Sequence, residues 1–334
     1  MFKSGLQRQL TLALAFFFCA LTGWTLAWAD DADDLAAAIV AHIRERAPAA
    51  APLTPEEAGR VTSFSRYLLK TIYFPANVRD LRTAALAAID LSDASTEAET
   101  QVLAAMGGML NSVGHGARFL ATLGGGDAPA ADGSQPSTRD LGALRVVTLP
   151  TMNVAGADAR HTCADFAHYF DVQSTDTITG YVLDLRGNVG GALTDSSCLS
   201  GFFIKNGQAI FQTVNKQGDV VKYQSDATGH KPSNLPVAVL IDSRTDSGAL
   251  LVAAILQSQR HATVIGEQKT NINGAVSSLV FPPGANRGVV LPTGEILLTD
   301  KRPLAAGLHI DVPMAAQDEI AMLNAARPFL ARRD

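Results

Sequence analysis

Residues 181–191 read YVLDLRGNVGG, an apolar run that leads into a glycine-rich turn ahead of a helical pattern. Buried strands of a parallel sheet are near-continuous apolar runs, and such strands alternate with helices along the chain. The chain has further short apolar runs, some of them separated by helical patterns, at Leu144–Leu149, Ala209–Val214, Val237–Ile241, Ala262–Ile265 and Ile296–Leu298. This alternation predicts an α/β domain with a largely buried sheet.

A different pattern precedes this domain. Apolar residues recur at the spacing of one helix face from Leu35 to Ile43 and again from Leu81 to Ile89. We therefore expect an N-terminal helical module over residues 30–123. Residues 124–141 are rich in Gly, Ala, Pro, Ser and Asp without an apolar period, which predicts a linker. Residues 142–334 are left for the α/β domain and a C-terminal helix.

The first 29 residues are typical of a secretory signal peptide. Lys3 and Arg8 give a positive start, Leu10–Leu21 is a mostly apolar run, and residues 27–29 read AWA, a small-x-small cleavage site. We expect cleavage before Asp30, which would leave a periplasmic or secreted protein without a membrane anchor. An uncleaved anchor is the alternative, but the apolar run is shorter than the roughly 20 residues that span a bilayer.

Composition narrows the protein classes further. The 334-residue chain is 47% apolar and 18% charged, which excludes a disordered or fibrous protein, and its net charge of −5 gives no basis for a nucleic-acid partner. Signal cleavage would leave two cysteines, Cys163 and Cys198, in an oxidising compartment, where a disulfide between them is allowed. Two buried thiols are the alternative, because sequence does not show that the sulfurs meet.

Two turns that follow predicted strands could carry chemistry. The glycines of residues 187–191 would let backbone N–H groups point into a site, as an oxyanion hole requires, or they would simply make a tight structural turn. After the strand Val237–Ile241, residues 242–248 read DSRTDSG and precede a helix. Ser247 would lie where the helix dipole and free N–H groups stabilise a developing anion, although serine is also an ordinary helix N-cap.

A third candidate is His115, which is flanked by two glycines after an apolar helix. Imidazole is the side chain best suited to act as a general base at neutral pH. The alternative is a solvated helix C-cap beside Gly116.

Taken together, these motifs resemble the tail-specific, or C-terminal processing, serine protease family, with its tricorn-core and retinoid-binding relatives, over roughly Phe64–Val312. The family pattern has an early Asp-x-His-Ser/Thr turn, an Asp-Leu-Arg-x-Asn-x-Gly-Gly turn, a Val-Leu-Val-Asn strand leading to Ser-Ala-Ser, an Arg-Ala-x-Val-x-Gly-Glu stretch and a late Gly-Ile-x-Pro-Asp-Ile stretch. The matching segments here are residues 113–116, 184–191, 239–247, 260–267 with His261 as an extra residue, and 307–312.

The resemblance implies an α/β fold with a crotonase-like core, as in Clp and the tail-specific proteases. It places Ser247 at the nucleophile position, with oxyanion donors from the backbone N–H of Gly248 and of Gly190 or Gly191. Its substrate would be a protein or peptide. The segment between the early turn and residue 184 is too short for the PDZ domain that many members insert.

The resemblance leaves two candidates for the base. Many members use a lysine in a Phe-Gly-Lys-Gly loop after Gly-Glu, but here the aligned position holds Ile272 or Asn273, and Lys269 comes three or four residues earlier. The tricorn-type branch uses a histidine from the early turn, which would be His115.

Two functional hypotheses follow. The first is a secreted serine peptidase that hydrolyses peptide bonds through Ser247, with His115 or Lys269 as base. The second is a catalytically inactive member that binds peptides or small apolar ligands. The second is favoured by the missing lysine, by Gly116 in place of a hydroxyl, and by Ala305 and Ala306 where a late glutamate is usual. We expect no metal or other cofactor, because no ligand spacing such as His-Glu-x-x-His occurs.

Overall fold

The computed structural model describes residues 29–47, 52–92, 97–120, 136–152, 163–170, 177–227, 229–267, 272–315 and 318–330, with the side chains of 163–165 left out. The predicted signal peptide, except for its last residue, lies outside the described residues, as do Lys269 and most of the predicted linker. The chain divides into two compact units. The helical unit comprises Met1–Gly125 and Ser277–Thr293, and the α/β unit comprises Gly126–Val276 and Gly294–Asp334.

The helical unit is built on amphipathic helices. Its described elements before the α/β unit are α1 (29–46), α2 (Pro55–Thr71), α3 (Val78–Leu91), α4 (Ala98–Val113) and β1 (Arg118–Phe119). The apolar residues whose spacing predicted the helices are completely buried: Leu35, Ile39, Ile43, Leu81, Ala85 and Ile89. Helix α2 begins with a capping box between Thr54 and Glu57, which satisfies two backbone N–H groups at its start.

The later elements alternate between strands and helices, as the sequence predicted. In chain order they are β2 (Ser137–Leu141), β3 (Leu144–Thr148), α5 (Cys163–Phe170), β4 (Gly180–Asp184), α6 (Leu193–Gly201), β5 (Ala209–Asn215), β6 (Val220–Gln224), β7 (Val237–Ile241), α7 (Ser247–Arg260), β8 (Thr263–Gly266), β9 (Ala275–Val280), β10 (Val289–Leu298), α8 (Leu304–Gly307), β11 (Val312–Pro313) and α9 (Glu319–Leu330). The long runs that lack polar residues are the central strands of the sheet.

Six of the described strands form one sheet in the order β11-β8-β7-β4-β3-β2. Neighbouring strands are parallel except for the antiparallel pair β2–β3. Strand β5 pairs antiparallel with β6 and with the second half of β10. In the helical unit, β1 pairs with the start of β10.

Both faces of the six-stranded sheet are covered by helices. One face packs on α9 in a cluster that includes Val146, Val182, Ala238, Leu240, Ile265, Met322, Leu323, Ala326 and Leu330. The other face packs on α5, α6 and α7 through Val147, Leu183, Val239, Val264, Phe166, Leu199 and Leu251. Alternate residues of each strand therefore enter different cores, which explains why these strands have no polar side. The predicted α/β class is confirmed.

The structure differs from the predicted boundaries in two places. Residues 137–141, placed in the linker by the sequence analysis, form the edge strand β2. Its residues STRDL are mostly polar because only one neighbouring strand pairs with it and little of it is buried. Residues 277–293 belong with the helical unit rather than with the α/β domain around them. Gly284 shows the reason, because its Cα packs so tightly against α2 that an added Cβ would lie 2.4 Å from the Arg60 carbonyl oxygen.

Cys198 lies on α6, is almost fully buried and is disulfide-bonded. Cys163 begins α5, but its side chain is outside the described part of the chain, so the pairing of Cys163 with Cys198 stays a prediction. Of the helices described, none combines the length and the apolar content needed to cross a bilayer.

Candidate active site

The candidate site lies where two adjacent parallel strands end. Strands β4 and β7 pair in register, with Asp184 beside Leu240, so the turn after β4 and the loop after β7 leave the sheet side by side. The carboxyl ends of neighbouring parallel strands are the usual location of sites in α/β sheets. The first turn contains the glycine motif, and the second carries Ser247.

The start of the glycine turn is fixed by an ion pair. Asp184 is buried, and its carboxylate faces the Arg186 guanidinium, with Arg186 Nε 2.8 Å from Oδ1 and Nη2 2.6 Å from Oδ2. The hydrogen bonds that Arg186 donates to Asp184 raise the pKa of Arg186 above its ordinary value, against the opposing effect of burial. The guanidinium therefore stays charged, and its paired hydrogen bonds to Asp184 anchor the turn to the end of β4.

The middle of the turn is fixed by Asn188, whose side chain is fully buried. Its Nδ2 donates to the Leu149 carbonyl at 2.8 Å, and its Oδ1 accepts from the N–H of Gly190 at 2.9 Å. Gly190 has φ of +90°, a backbone conformation that favours glycine. The N–H of Gly190 is thus already used within the turn.

The loop after β7 delivers Ser247 in an unusual backbone conformation. Asp246 caps helix α7 by accepting from the N–H of Ser247 at 2.8 Å, and the N–H of Asp246 donates to the Asn188 carbonyl at 2.9 Å. Ser247 itself has φ of +49°, in the left-handed region. Such a conformation is uncommon for a residue other than glycine, and strained backbone of this kind clusters at functional sites.

The glycine turn and the Ser247 loop are in direct contact. A Cβ added to Gly190 would lie 2.6 Å from Gly248 N and 2.8 Å from Ser247 Cβ, and one added to Gly248 would lie 3.2 Å from Gly191 N. The structure thus brings together Gly190, Gly191, Ser247 and Gly248. Within the described residues, the N–H groups of Gly191 and Gly248 have no hydrogen-bond partner. Two unused backbone donors beside a serine hydroxyl can stabilise an oxyanion.

The two predicted bases are placed differently. His115 belongs to the helical unit, in a turn after α4 where it has φ of +51° between two glycines that also have positive φ. Its ring stacks on Phe74 with centroids 4.1 Å apart and planes 12° from parallel. Lys269 lies outside the described residues. The assignment of either His115 or Lys269 as the general base therefore stays a prediction.

Neither residue at the lysine position of the family replaces that base. Ile272 packs against the core of the α/β unit, and Asn273 Oδ1 accepts from the N–H of Ala275 at 3.1 Å. Sequence reasoning missed the roles of Asn188 and Asp242, which hold the two turns. Both lie within the quoted motifs, but a structural hydrogen bond leaves no signal in residue type alone.

Comparisons with known proteins agree with the quoted motifs. The family model described as peptidase family S41 matches residues 143–314. A carboxy-terminal-processing protease of Bartonella bacilliformis is 36% identical over 126 residues, which are 37% of this chain and 28% of that protein. The chain thus spans little more than a quarter of that curated relative.

Two solved structures share the fold over most of the chain. A structure from Parabacteroides merdae has a TM-score of 0.58 at 15% identity, covering 84% of this chain and 98% of that one. A lipoprotein from Streptococcus agalactiae has a TM-score of 0.56 at 14% identity, again covering 84% of this chain and 98% of that one.

Proposed function

The chain belongs to peptidase family S41, and on that basis we propose that it is a serine peptidase in which Ser247 Oγ attacks the carbonyl carbon of a peptide bond. The observation that carries the proposal is the contact of Ser247 and Gly248 with the glycine turn, which leaves two backbone N–H groups unused beside the serine. A helix start alone leaves the N–H of Gly248 free, but it does not bring a second free donor, the N–H of Gly191, to the same place. This arrangement does not favour the binding-only hypothesis.

The proposed reaction assigns one role to each of these groups. A general base takes the proton of Ser247 Oγ as the oxygen bonds to the substrate carbonyl carbon, because a serine hydroxyl is barely ionised at neutral pH. The negative charge that develops on the carbonyl oxygen is held by the N–H groups of Gly191 and Gly248. Gly190 is not the second donor in this scheme, because Asn188 already accepts from its N–H.

The tetrahedral intermediate then collapses and expels the amine, which takes the proton back from the base. Water, activated by the same base, hydrolyses the acyl-serine and frees the acid product and Ser247. We propose His115 as the base, as in the tricorn-type branch, with Lys269 as the second candidate. Proteins or peptides are the proposed substrates, in agreement with the processing of carboxyl termini named for the Bartonella relative.

We also propose that the protein is exported. The support is the N-terminal pattern of two cations, an apolar run and the AWA site at residues 27–29. An intact mass of the exported protein that begins at Asp30 is the expected result. A mature species that retains residues 1–29 would contradict export by signal cleavage.

Hydrolysis of an unfolded protein by matched variants tests the catalytic proposal. Ser247→Ala should abolish cleavage, and whichever of His115→Ala and Lys269→Ala removes the base should lower kcat by about three orders of magnitude or more. Ser258→Ala is the control, because this exposed serine lies on the same helix and its hydroxyl donates only within it, to the Ile255 carbonyl. Cleavage that survives in Ser247→Ala would refute the proposal, and a folded wild type without cleavage would favour the binding-only hypothesis.

A further inference from the structure

Asp242 is the residue at which the two turns of the candidate site are joined. It directly follows β7 and is buried, with 6% of its surface exposed. Its Oδ1 accepts from the N–H of Gly187 at 2.9 Å, from those of Arg244 and Thr245 at 3.1 and 2.9 Å, and lies 3.0 Å from Thr245 Oγ1. The first donor belongs to the glycine turn and the others to the loop that leads to Ser247. One oxygen atom therefore links both turns.

The second carboxylate oxygen has a different and weaker role. Asp242 Oδ2 accepts only from Arg244 Nε, at 3.1 Å, and the Arg244 side chain is 64% exposed. This ion pair joins two residues of the same loop, so it is not a bond between the two turns. The link between the turns therefore depends on Oδ1 and not on the salt bridge.

Thr245 closes the same set of bonds. Its side chain is fully buried, its hydroxyl lies 2.9 Å from the Leu185 carbonyl oxygen, and that hydroxyl accepts from the N–H of Asp242 at 3.0 Å. Leu185 connects β4 to the glycine turn. The hydroxyl thus bridges the two turns a second time, beside Asp242.

The electrostatics of Asp242 agree with this role. Burial opposes ionisation of the carboxyl, but the N–H of Gly187, the hydroxyl and N–H of Thr245 and the Arg244 guanidinium together outweigh burial and lower the pKa of Asp242. The group is therefore an ionised acceptor at neutral pH.

We propose that Asp242 is a positioning residue for the reaction, whose Oδ1 sets the distance between the glycine turn and the loop that carries Ser247 and Gly248. The inference rests on the proposed function, because one oxyanion donor comes from each side of this joint. Donors act only when they lie about 2.7–3.1 Å from the developing oxyanion, and a displacement near 1 Å can cost about 100-fold in rate. Loss of the joint should thus lower the rate of the chemical step more than it weakens substrate binding.

Two substitutions of Asp242 distinguish the contributions of its two carboxylate oxygens. Asp242→Asn retains an amide oxygen for the three backbone N–H groups and replaces only the oxygen that faces the exposed Arg244 guanidinium. Asp242→Ala removes both oxygens. Arg244→Ala removes the partner of Oδ2 and leaves Oδ1 bonded, so it is the matched control for the ion pair.

The test is the kinetics of covalent modification by a serine-directed fluorophosphonate, resolved into the maximal inactivation rate and the half-saturating concentration. Asp242→Ala should lower the maximal rate about 10- to 100-fold and change the half-saturating concentration less than about 3-fold. Asp242→Asn and Arg244→Ala should stay within about 3-fold of wild type in both. A wild-type maximal rate in folded Asp242→Ala, or equal losses in Asp242→Ala and Asp242→Asn, would overturn the inference.

Thermal unfolding of each variant shows whether it is folded. If Asp242→Ala does not fold, Thr245→Val decides instead, since it keeps the shape of the side chain and removes the hydroxyl that bridges the turns. It should lower the maximal rate about 10-fold, and a folded Thr245→Val with the wild-type rate would overturn the inference. Absence of modification in wild type marks failure of the proposed function itself, whereas modified wild type with unaffected Asp242 and Thr245 variants marks failure of this inference alone.

Discussion

At the scale of single residues, the candidate site depends on glycines, because the absence of a side chain lets two backbone segments approach closely. Gly190 packs against the backbone of residues 246–248, and the absence of a Cβ there lets the oxyanion-type turn reach Ser247. Gly248 has a similar constraint from Gly191 and Ser196. The serine and the donors are therefore brought together by close contact of backbone segments.

Gly190→Ala should strongly slow the modification of Ser247 by a fluorophosphonate. The new methyl group would meet Gly248 N at 2.6 Å and the Asp246 carbonyl oxygen at 2.8 Å, and backbone atoms cannot move aside as a flexible side chain can. We expect the modification rate to fall about 100-fold or more. Gly142→Ala is the control, because Gly142 also has positive φ but a Cβ there would have no atom within 4 Å. Equal rates for the two variants would contradict this account.

At the scale of elements, helix α4 shows how a helix interface uses small residues. The pair Gly107-Gly108 lies inside the helix, where glycine costs roughly 0.5–1 kcal/mol relative to alanine. Close packing explains the glycine at position 108, because the Cα of Gly108 lies directly against α3. A Cβ there would lie 2.4 Å from the Ala84 carbonyl oxygen and 2.9 Å from Ala88 Cβ.

The two glycines should respond oppositely to replacement by alanine. Gly107→Ala meets only Phe119 Cε2, at an ordinary 3.8 Å, so it should stabilise the protein by up to about 1 kcal/mol. Gly108→Ala should destabilise it by about 1–3 kcal/mol, because α3 and α4 must separate. Both variants share the same change in helix propensity, so the difference between their urea midpoints reports packing alone. Equal midpoints would show that α3 and α4 do not approach so closely.

Elements differ in how much of their structure the sequence determines. Strands β3, β4, β7 and β8 are predictable because both of their faces are buried, which requires uninterrupted apolar runs. Strand β2 is not, since an edge strand with exposed residues has the composition of a loop. Likewise Ser247 and the glycines are predictable as an ordered set of motifs. The hydrogen bond that occupies the N–H of Gly190 and the joint at Asp242 depend on distances between chain segments that are remote in sequence.

At the scale of the whole molecule, the last helix completes the α/β unit. Helix α9 covers one face of the sheet, and Leu330 packs on Gly180, where a Cβ would be 2.9 Å from Leu330 Cβ. Its first residue, Glu319, pairs with Arg139 of the edge strand β2 and lies 3.9 Å from Arg186 of the glycine turn. The helix thus closes a core and adds a charge beside the start of the candidate site.

Truncation of the buried face of α9 should destabilise the α/β unit. Leu323→Ala should cost about 2–5 kcal/mol, because Leu323 is 7% exposed and belongs to the core beneath the helix. Ile320→Ala is the control on the same helix, since Ile320 is 73% exposed and should cost less than about 0.5 kcal/mol. The measurement is the urea midpoint of each variant. Similar midpoints for the two variants would show that α9 does not cover the sheet.

The most direct test of the central claim is to locate the site of covalent modification by a fluorophosphonate. The protein and its Ser247→Ala variant are treated under identical conditions, and the adduct is assigned by intact mass and peptide mapping. We predict one adduct on Ser247 in wild type and none in the folded variant, because the proposed mechanism activates the hydroxyl of Ser247. A folded wild type without an adduct, or an adduct that persists in Ser247→Ala, would contradict the assignment of Ser247 as the nucleophile.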